Sequence, residues 1–81
     1  MARLVLLPAQ RTHTGGVAEV DVEAADVRAA VRELLLRFPA LPADEVEGCH
    51  VAIDGELVMD PFLEPLQPQS RVVFVQRIGA G

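Results

Sequence analysis

The residues best placed to do chemistry are the last three of the chain, Gly79-Ala80-Gly81. Glycine has no Cβ, so a tail of such small residues can thread a channel that is too narrow for other backbones. Ala80 adds one methyl group and narrows the allowed φ/ψ range at its position. We expect the carboxylate of Gly81 to act as the chemical handle of the protein, at the end of the main chain and not in a pocket.

The other reactive side chains do not form a catalytic arrangement in the sequence. Cys49 and His50 are adjacent, and adjacent residues on a strand point to opposite faces, so they make a poor nucleophile and base pair. Cys49 is the single cysteine, which excludes an internal disulfide and a cysteine-built zinc site. His13 and His50 have no carboxylate at metal-ligand spacing. The sequence therefore predicts neither a metal site nor a stand-alone enzyme.

Length and charge narrow the function classes further. The chain has 81 residues, the size of one small domain. Twelve acidic residues against seven basic ones give a net charge of −5, which repels nucleic acid and anionic membrane surfaces. No apolar run approaches the roughly 20 residues of a membrane span. We expect a cytoplasmic protein that binds neither nucleic acid nor membrane, and whose partners present basic docking surfaces.

The first half of the chain predicts two strands followed by a helix. The apolar run 3–7 stops at Pro8, and the alternating run 17–22 predicts a strand with one wet face, so the turn-rich segment 8–16 makes a hairpin loop. Apolar residues then recur at helical spacing after Asp26, a good N-cap. The helix should run from about 26 to 38, because Pro39 disfavours the α conformation in the residue before it.

The second half predicts another hairpin and a central strand. Asp54-Gly55 lies between the short runs 51–53 and 56–58, and this dipeptide supplies the positive φ values that a type I′ turn needs. Prolines keep residues 60–70 irregular, where we expect Leu63 and Leu66 to anchor the chain. The nearly continuous apolar run 72–75 suits a central position in a sheet.

These elements predict an α+β domain, with a mixed sheet of four to five strands covered on one face by one main helix. The first and last strands should be parallel neighbours, because the chain crosses the sheet through the helix between them. With one helix, the second face of the sheet stays open, and apolar side chains that alternate away from the core point to it. We predict a partner-binding patch on that face made of Val5, Leu7, Leu57, Val73 and Val75.

Taken together, these segments resemble a known family. The hairpin VAIDGE at 51–56, a proline-rich stretch, the final strand RVVFV at 71–75 and the end IGAG at 78–81 resemble the ubiquitin-like sulfur carriers of the ThiS/MoaD group. The likeness covers almost the whole chain, and the length is closer to the molybdopterin synthase small subunit than to the shorter thiamine carrier. The order of the motifs together with the tail carries the resemblance.

The resemblance implies a β-grasp (ubiquitin-like) fold for residues 1–76 and a flexible C-terminal tail for residues 77–81. In such carriers an E1-like adenylating enzyme uses ATP to activate the terminal glycine, here Gly81, and a sulfur donor converts it to a thiocarboxylate. The chain itself would bind no cofactor. A molybdopterin synthase large subunit, or another sulfur-accepting enzyme, would dock on the open face, where Leu7, Leu57 and Val75 fall at matching positions. The tether is Arg77, Ile78, Gly79 and Ala80.

Three departures from the family pattern keep alternatives open. Alanine and the first glycine of the tail are exchanged, Gln76-Arg77 replaces prolines, and Asp54 stands where asparagine is common. The molybdenum cofactor pathway is therefore one reading, and a carrier for thiamine, cysteine or a sulfur-containing metabolite is another. Because of Ala80, a third reading is a β-grasp interaction module that binds partners without being conjugated.

Overall fold

The structure is a computed structural model, and it describes residues 1–58 and 63–76. Within these two ranges the chain forms five strands and three helices. The elements are β1 (Ala2–Val5), α1 (Pro8–Arg11), β2 (Glu19–Val22), α2 (Val27–Arg37), α3 (Ala43–Glu47), β3 (His50–Ile53), β4 (Glu56–Val58) and β5 (Arg71–Val75). The predicted tail, residues 77–81, lies outside the described residues.

The five strands form one mixed sheet in the order β2-β1-β5-β3-β4. β1 and β5 are parallel neighbours, and the other pairs are antiparallel. The prediction that the first and last strands meet in the centre of the sheet is therefore confirmed. The domain is α+β with a mixed sheet, as the order of the elements predicts.

Helix α2 covers one face of this sheet. The carboxylate of Asp26 caps it by accepting a hydrogen bond from the Ala29 amide, with 2.8 Å between Oδ1 and N. Its buried residues recur at helical spacing and belong to the same core as Leu4 and Val72 of the two central strands. The helix ends at Arg37, one residue before the predicted end, and Phe38 leaves the α conformation directly before Pro39.

Two short helices lie where the sequence predicts loops. The predicted hairpin loop contains α1, and the acidic connection after α2 contains α3, which includes Asp44, Glu45 and Glu47. Four and five residues are too few for helical periodicity to show. Tertiary contacts hold these turns instead: Val46 of α3 is buried in the core, and Gln10 of α1 is fully buried against α3.

Gln10 joins the two short helices through its amide. Its Oε1 accepts a hydrogen bond from the Leu7 amide at 2.8 Å, and its Nε2 donates to the Glu45 carbonyl at 2.8 Å. The Nε2 atom also lies 3.6 Å from the Cys49 sulfur. Both the carbonyl and the NH₂ group of this buried amide are hydrogen-bonded. Gln10 therefore connects α1 to α3 by polar contacts inside the protein.

The predicted turn between β3 and β4 is confirmed. Asp54 and Gly55 have φ values of +52° and +86°, and Ile53 pairs with Glu56 on either side of them. This is the backbone of a two-residue type I′ hairpin. One anchor of the irregular stretch was predicted correctly and one was not: Leu66 is buried, whereas Leu63 is 80% exposed.

Candidate functional site

The predicted site has two parts, a tail and a docking face, and they meet at β5. Gly81 and the tether residues 77–80 lie outside the described residues. Gln76, the last residue described before them, directly follows β5. β5 is hydrogen-bonded to β1 on one side and to β3 on the other, so Gln76 directly follows the central strand of the sheet.

The predicted docking face contains a continuous row of apolar side chains. Val5 of β1 pairs with Val73 of β5, Val73 pairs with Ala52 of β3, and Ala52 pairs with Leu57 of β4. Residues directly opposite each other in adjacent strands point to the same face. Four neighbouring strands therefore place four apolar side chains side by side, which we call the apolar row (Val5, Val73, Ala52 and Leu57).

The apolar row lies on the face opposite the core. Leu4, Val72 and Phe74 alternate with it and are buried, whereas Val5, Val73 and Ala52 are only partly buried and Leu57 is 55% exposed. The three described helices contribute their buried residues to the core side. In the part of the chain that the structure describes, no helix or strand packs over the apolar row.

The other two predicted docking residues have different positions. Val75 lies on the same face as Val73 and pairs with His50 of β3, so it extends the face toward the tail. Leu7 does not belong to this face. β1 ends at Val5, and Leu7 is the N-cap residue of α1 and packs against the core. The orientation of Leu7 was predicted from strand alternation, but the strand ends two residues before Leu7.

Next to the apolar row lies a row of charged side chains. Arg3 of β1 donates from Nε to Asp21 Oδ1 at 3.0 Å and lies 3.3 Å from Glu19 Oε1, both on β2. Across β1, Arg3 pairs in register with Arg71 of β5. The hydrogen bond from Arg3 lowers the pKa of the Asp21 carboxyl below its ordinary value. These residues are exposed, so the pairs orient the side chains more than they stabilise the fold.

Cys49 lies in the same cavity as Gln76 but lacks the environment of a nucleophile. It lines a cavity of about 310 Å³ together with Leu7, Pro8, Ala9, Glu45 and Gln76. Its Sγ donates to the Glu45 carbonyl at 3.1 Å, and burial followed by the charge of Glu45 raises the pKa of the thiol. A raised pKa keeps the less reactive thiol form at neutral pH.

The described ranges contain neither a cluster of metal-ligating side chains nor a membrane-spanning helix. Among residues 1–58 and 63–76, no three or more His, Cys, Asp or Glu side chains are grouped so that they could hold a metal ion. None of the helices described for this chain is long and apolar enough to cross a bilayer.

The sequence prediction missed two parts of this face. Ala52 completes the apolar row, and Arg3 and Arg71 form the centre of the charged row. A signal for the arginines was present, because each stands two positions before a valine that was assigned to the outer face. Only the pairing of β1 with β5 makes them neighbours.

Comparison with known proteins does not assign the chain to a family. No protein-family model matches the sequence, and no curated protein matches it either.

Proposed function

We propose that this chain is a protein sulfur carrier with a β-grasp fold, and that its Gly81 carboxylate is adenylated by an E1-like partner enzyme and then converted to a thiocarboxylate. The observation that carries the proposal is the combination of strand order and open face. A mixed sheet in the order β2-β1-β5-β3-β4, with α2 across one face, is compatible with a β-grasp. The apolar row crosses the second face and includes Val73 of β5, the strand that precedes the tail.

The proposed roles of the carrier and its partner enzyme follow from the chemistry of a carboxylate. A carboxylate is a poor electrophile until adenylation supplies a leaving group, and the resulting thiocarboxylate is a soft nucleophile. The chain offers no lysine among its seven basic residues, so it has no side-chain amine of its own to accept the activated acyl group. In this proposal the partner supplies ATP and the catalytic groups, while the carrier supplies the carboxylate and a surface to be recognised.

The apolar row is the proposed recognition surface. Its four residues span four adjacent strands, and Leu57 is largely exposed. Burial of apolar surface contributes about 25 cal/mol per Å², so such a row favours docking of an apolar partner surface. We propose the molybdopterin synthase large subunit as the sulfur acceptor, with the molybdenum cofactor pathway and a cytoplasmic location following from the resemblance to the small subunit of that synthase.

Intact-mass measurement tests the proposed chemistry. The protein is incubated with an E1-like activating enzyme, ATP and a sulfur donor, and the expected result is a mass gain that matches replacement of one oxygen by sulfur at Gly81. A variant lacking Gly81 is the control and should gain nothing. If a variant ending in two glycines gains the mass under conditions where the natural chain does not, the proposed function is wrong for this protein.

The same experiment tests the docking surface. Leu57→Asp should slow the mass gain, because it places a charge in the apolar row. Leu63→Asp is a matched control, since Leu63 is an exposed leucine in the irregular stretch outside the sheet. Equal rates for the two variants would exclude the apolar row as the surface that the activating enzyme recognises.

A further inference from the structure

Two arginines are direct neighbours on the outer face of the sheet. Arg3 and Arg71 are register partners in the parallel pair β1 and β5, and both are exposed. Like charges placed opposite each other on one face of a sheet are destabilising. The stability of the fold therefore does not explain why two arginines occupy neighbouring positions on β1 and β5.

The positive charges of the two arginines are neutralised to different extents by nearby carboxylates. Arg3 forms ion pairs with both Asp21 and Glu19. Arg71 has no carboxylate of the described chain within ion-pairing distance of its guanidinium. The nearby carboxylate of Asp54 accepts a hydrogen bond through Oδ1 from the backbone amide of Arg71 at 2.9 Å, and it forms no ion pair with the Arg71 guanidinium. Among residues 1–58 and 63–76, the guanidinium of Arg71 thus has no ion-pair partner and can bind an external anion.

A concave surface surrounds these groups. A cavity of about 410 Å³ is lined by Met1, Arg3, Asp21, Gln69 and Arg71. An arginine presents five N–H donors in a planar fork that matches the two oxygens of a carboxylate. The cavity therefore offers a cationic donor in a position where the rest of the protein, with a net charge of −5, repels anions.

The arginines of the cavity lie next to the apolar row along β1 and β5. Arg71 and Val73 lie two positions apart on the same face of β5, as do Arg3 and Val5 on β1, and two residues of a strand span about 7 Å. A ligand that fills both features carries a carboxylate about 7 Å from an apolar side chain. Such spacing is easily reached within a short peptide segment.

We propose that the cavity around Arg71 is a binding site for a carboxylate of an acidic peptide segment in a partner protein, whose neighbouring apolar side chain rests on the apolar row. This inference rests on the proposed function only for the statement that the outer face is a docking surface. It also refines the expectation from net charge: the partner is locally acidic at this point, although the carrier as a whole favours basic surfaces.

Nuclear magnetic resonance titration of the full chain tests the site. The probe is a blocked peptide with glutamates beside leucines, added at low ionic strength, and its counterpart has glutamines in place of the glutamates. The glutamate peptide should shift the amide signals of Arg71 and Val73, and Arg71→Gln should weaken its binding about three- to fivefold. Arg28→Gln is the matched control, since Arg28 is an exposed arginine of α2 and the change in net charge is the same.

Each outcome decides the inference. Equal binding of the two peptides, or equal weakening by Arg71→Gln and Arg28→Gln, would overturn it. If inorganic phosphate alone binds at Arg71 as tightly as the glutamate peptide, the site takes small oxyanions and an acidic segment is excluded. The sulfur-exchange experiment is independent of these results. A mass gain without peptide binding overturns this inference alone. Peptide binding without a mass gain, under conditions where the variant ending in two glycines gains the mass, overturns the proposed function alone.

Discussion

Asp54 and Arg71 hold each other by two hydrogen bonds. The Asp54 carboxylate accepts from the Arg71 amide at 2.9 Å, and the Asp54 amide donates to the Arg71 carbonyl at 2.9 Å. Asp54 also has a φ of +52°, a value that Asp and Asn tolerate better than most residues. One residue therefore forms the turn between β3 and β4 and fixes that turn to the first residue of β5.

Replacement of Asp54 should separate these two roles. We expect Asp54→Ala to lower the free energy of unfolding by about 1–3 kcal/mol, because it removes the acceptor and places alanine at positive φ. Asp54→Gly removes the cost of a non-glycine residue at positive φ but also lacks the acceptor. It should therefore lower the free energy of unfolding by less than Asp54→Ala does. Asp54→Asn keeps an acceptor oxygen and should be close to the natural protein. Urea unfolding measures all three, and equal losses for Ala and Asn would contradict this account.

Loss of the buried amide of Gln10 should also weaken the fold. Gln10→Met keeps most of the side-chain volume but leaves the Leu7 amide without its acceptor and removes the amide donor to the Glu45 carbonyl, which keeps the Cys49 thiol as a donor, so we expect a loss of about 1–3 kcal/mol. Gln10→Ala adds a cavity and should lose more. Thr12→Ala, which removes an exposed hydrogen bond of α1, should change stability by less than about 0.5 kcal/mol. A Gln10→Met variant as stable as the natural protein would show that packing alone matters.

Acid titration should reveal the pair formed by Arg3 and Asp21. The pKa of Asp21 is lowered first by the hydrogen bond from Arg3, so the folded state favours the ionised carboxyl. Its contribution to stability is present above the ordinary carboxyl pKa of about 4 and is lost as the pH falls through the lowered value. Carbon-13 titration of the carboxyl should give a pKa below the ordinary value. Arg3→Gln should raise that pKa, and Arg28→Gln should leave it unchanged.

The thiol of Cys49 should react slowly with iodoacetamide at neutral pH. Burial first, and then the charge of Glu45, raises its pKa, and only the thiolate is alkylated. The rate should therefore rise at a higher pH in the folded protein than in the denatured one. Glu45→Gln should move the rise to lower pH, whereas Asp44→Asn, on the same helix, should not. A folded-state profile identical to the denatured one would contradict the raised pKa.

The tail distinguishes a carrier from a simple interaction module. If Gly81 carries the chemistry, Ala80→Gly should speed the sulfur-dependent mass gain, because glycine allows a wider range of φ/ψ in a narrow channel. Deletion of Ala80 and Gly81 should abolish the gain while leaving binding to the open face intact. Complementation by the truncated chain in cells would instead favour a β-grasp module that is never conjugated.

Much of the outer face was predictable from alternation alone. The inward positions Leu4, Val72 and Phe74 are buried, and Val5, Val73 and Val75 alternate with them. The prediction was wrong for Leu7, because β1 ends before it and the chain turns into α1. Pro8 at the first helical position and Gln10 three residues after Leu7 are local signals for the start of α1, but a helix of four residues also gains support from the hydrogen bond of Gln10 to Glu45, 35 residues away in sequence.

The local features of the chain were predictable from its residues: the Asp26 cap, the positive φ at Asp54-Gly55 and the face to which each strand residue points. These depend on side-chain and backbone preferences within a few residues. The order of the strands in the sheet depends on long-range pairing, which places Arg3 beside Arg71 and completes the apolar row with Ala52. Strand pairing joins residues that are distant in the chain, and its register is set by the shared core and not by any local preference.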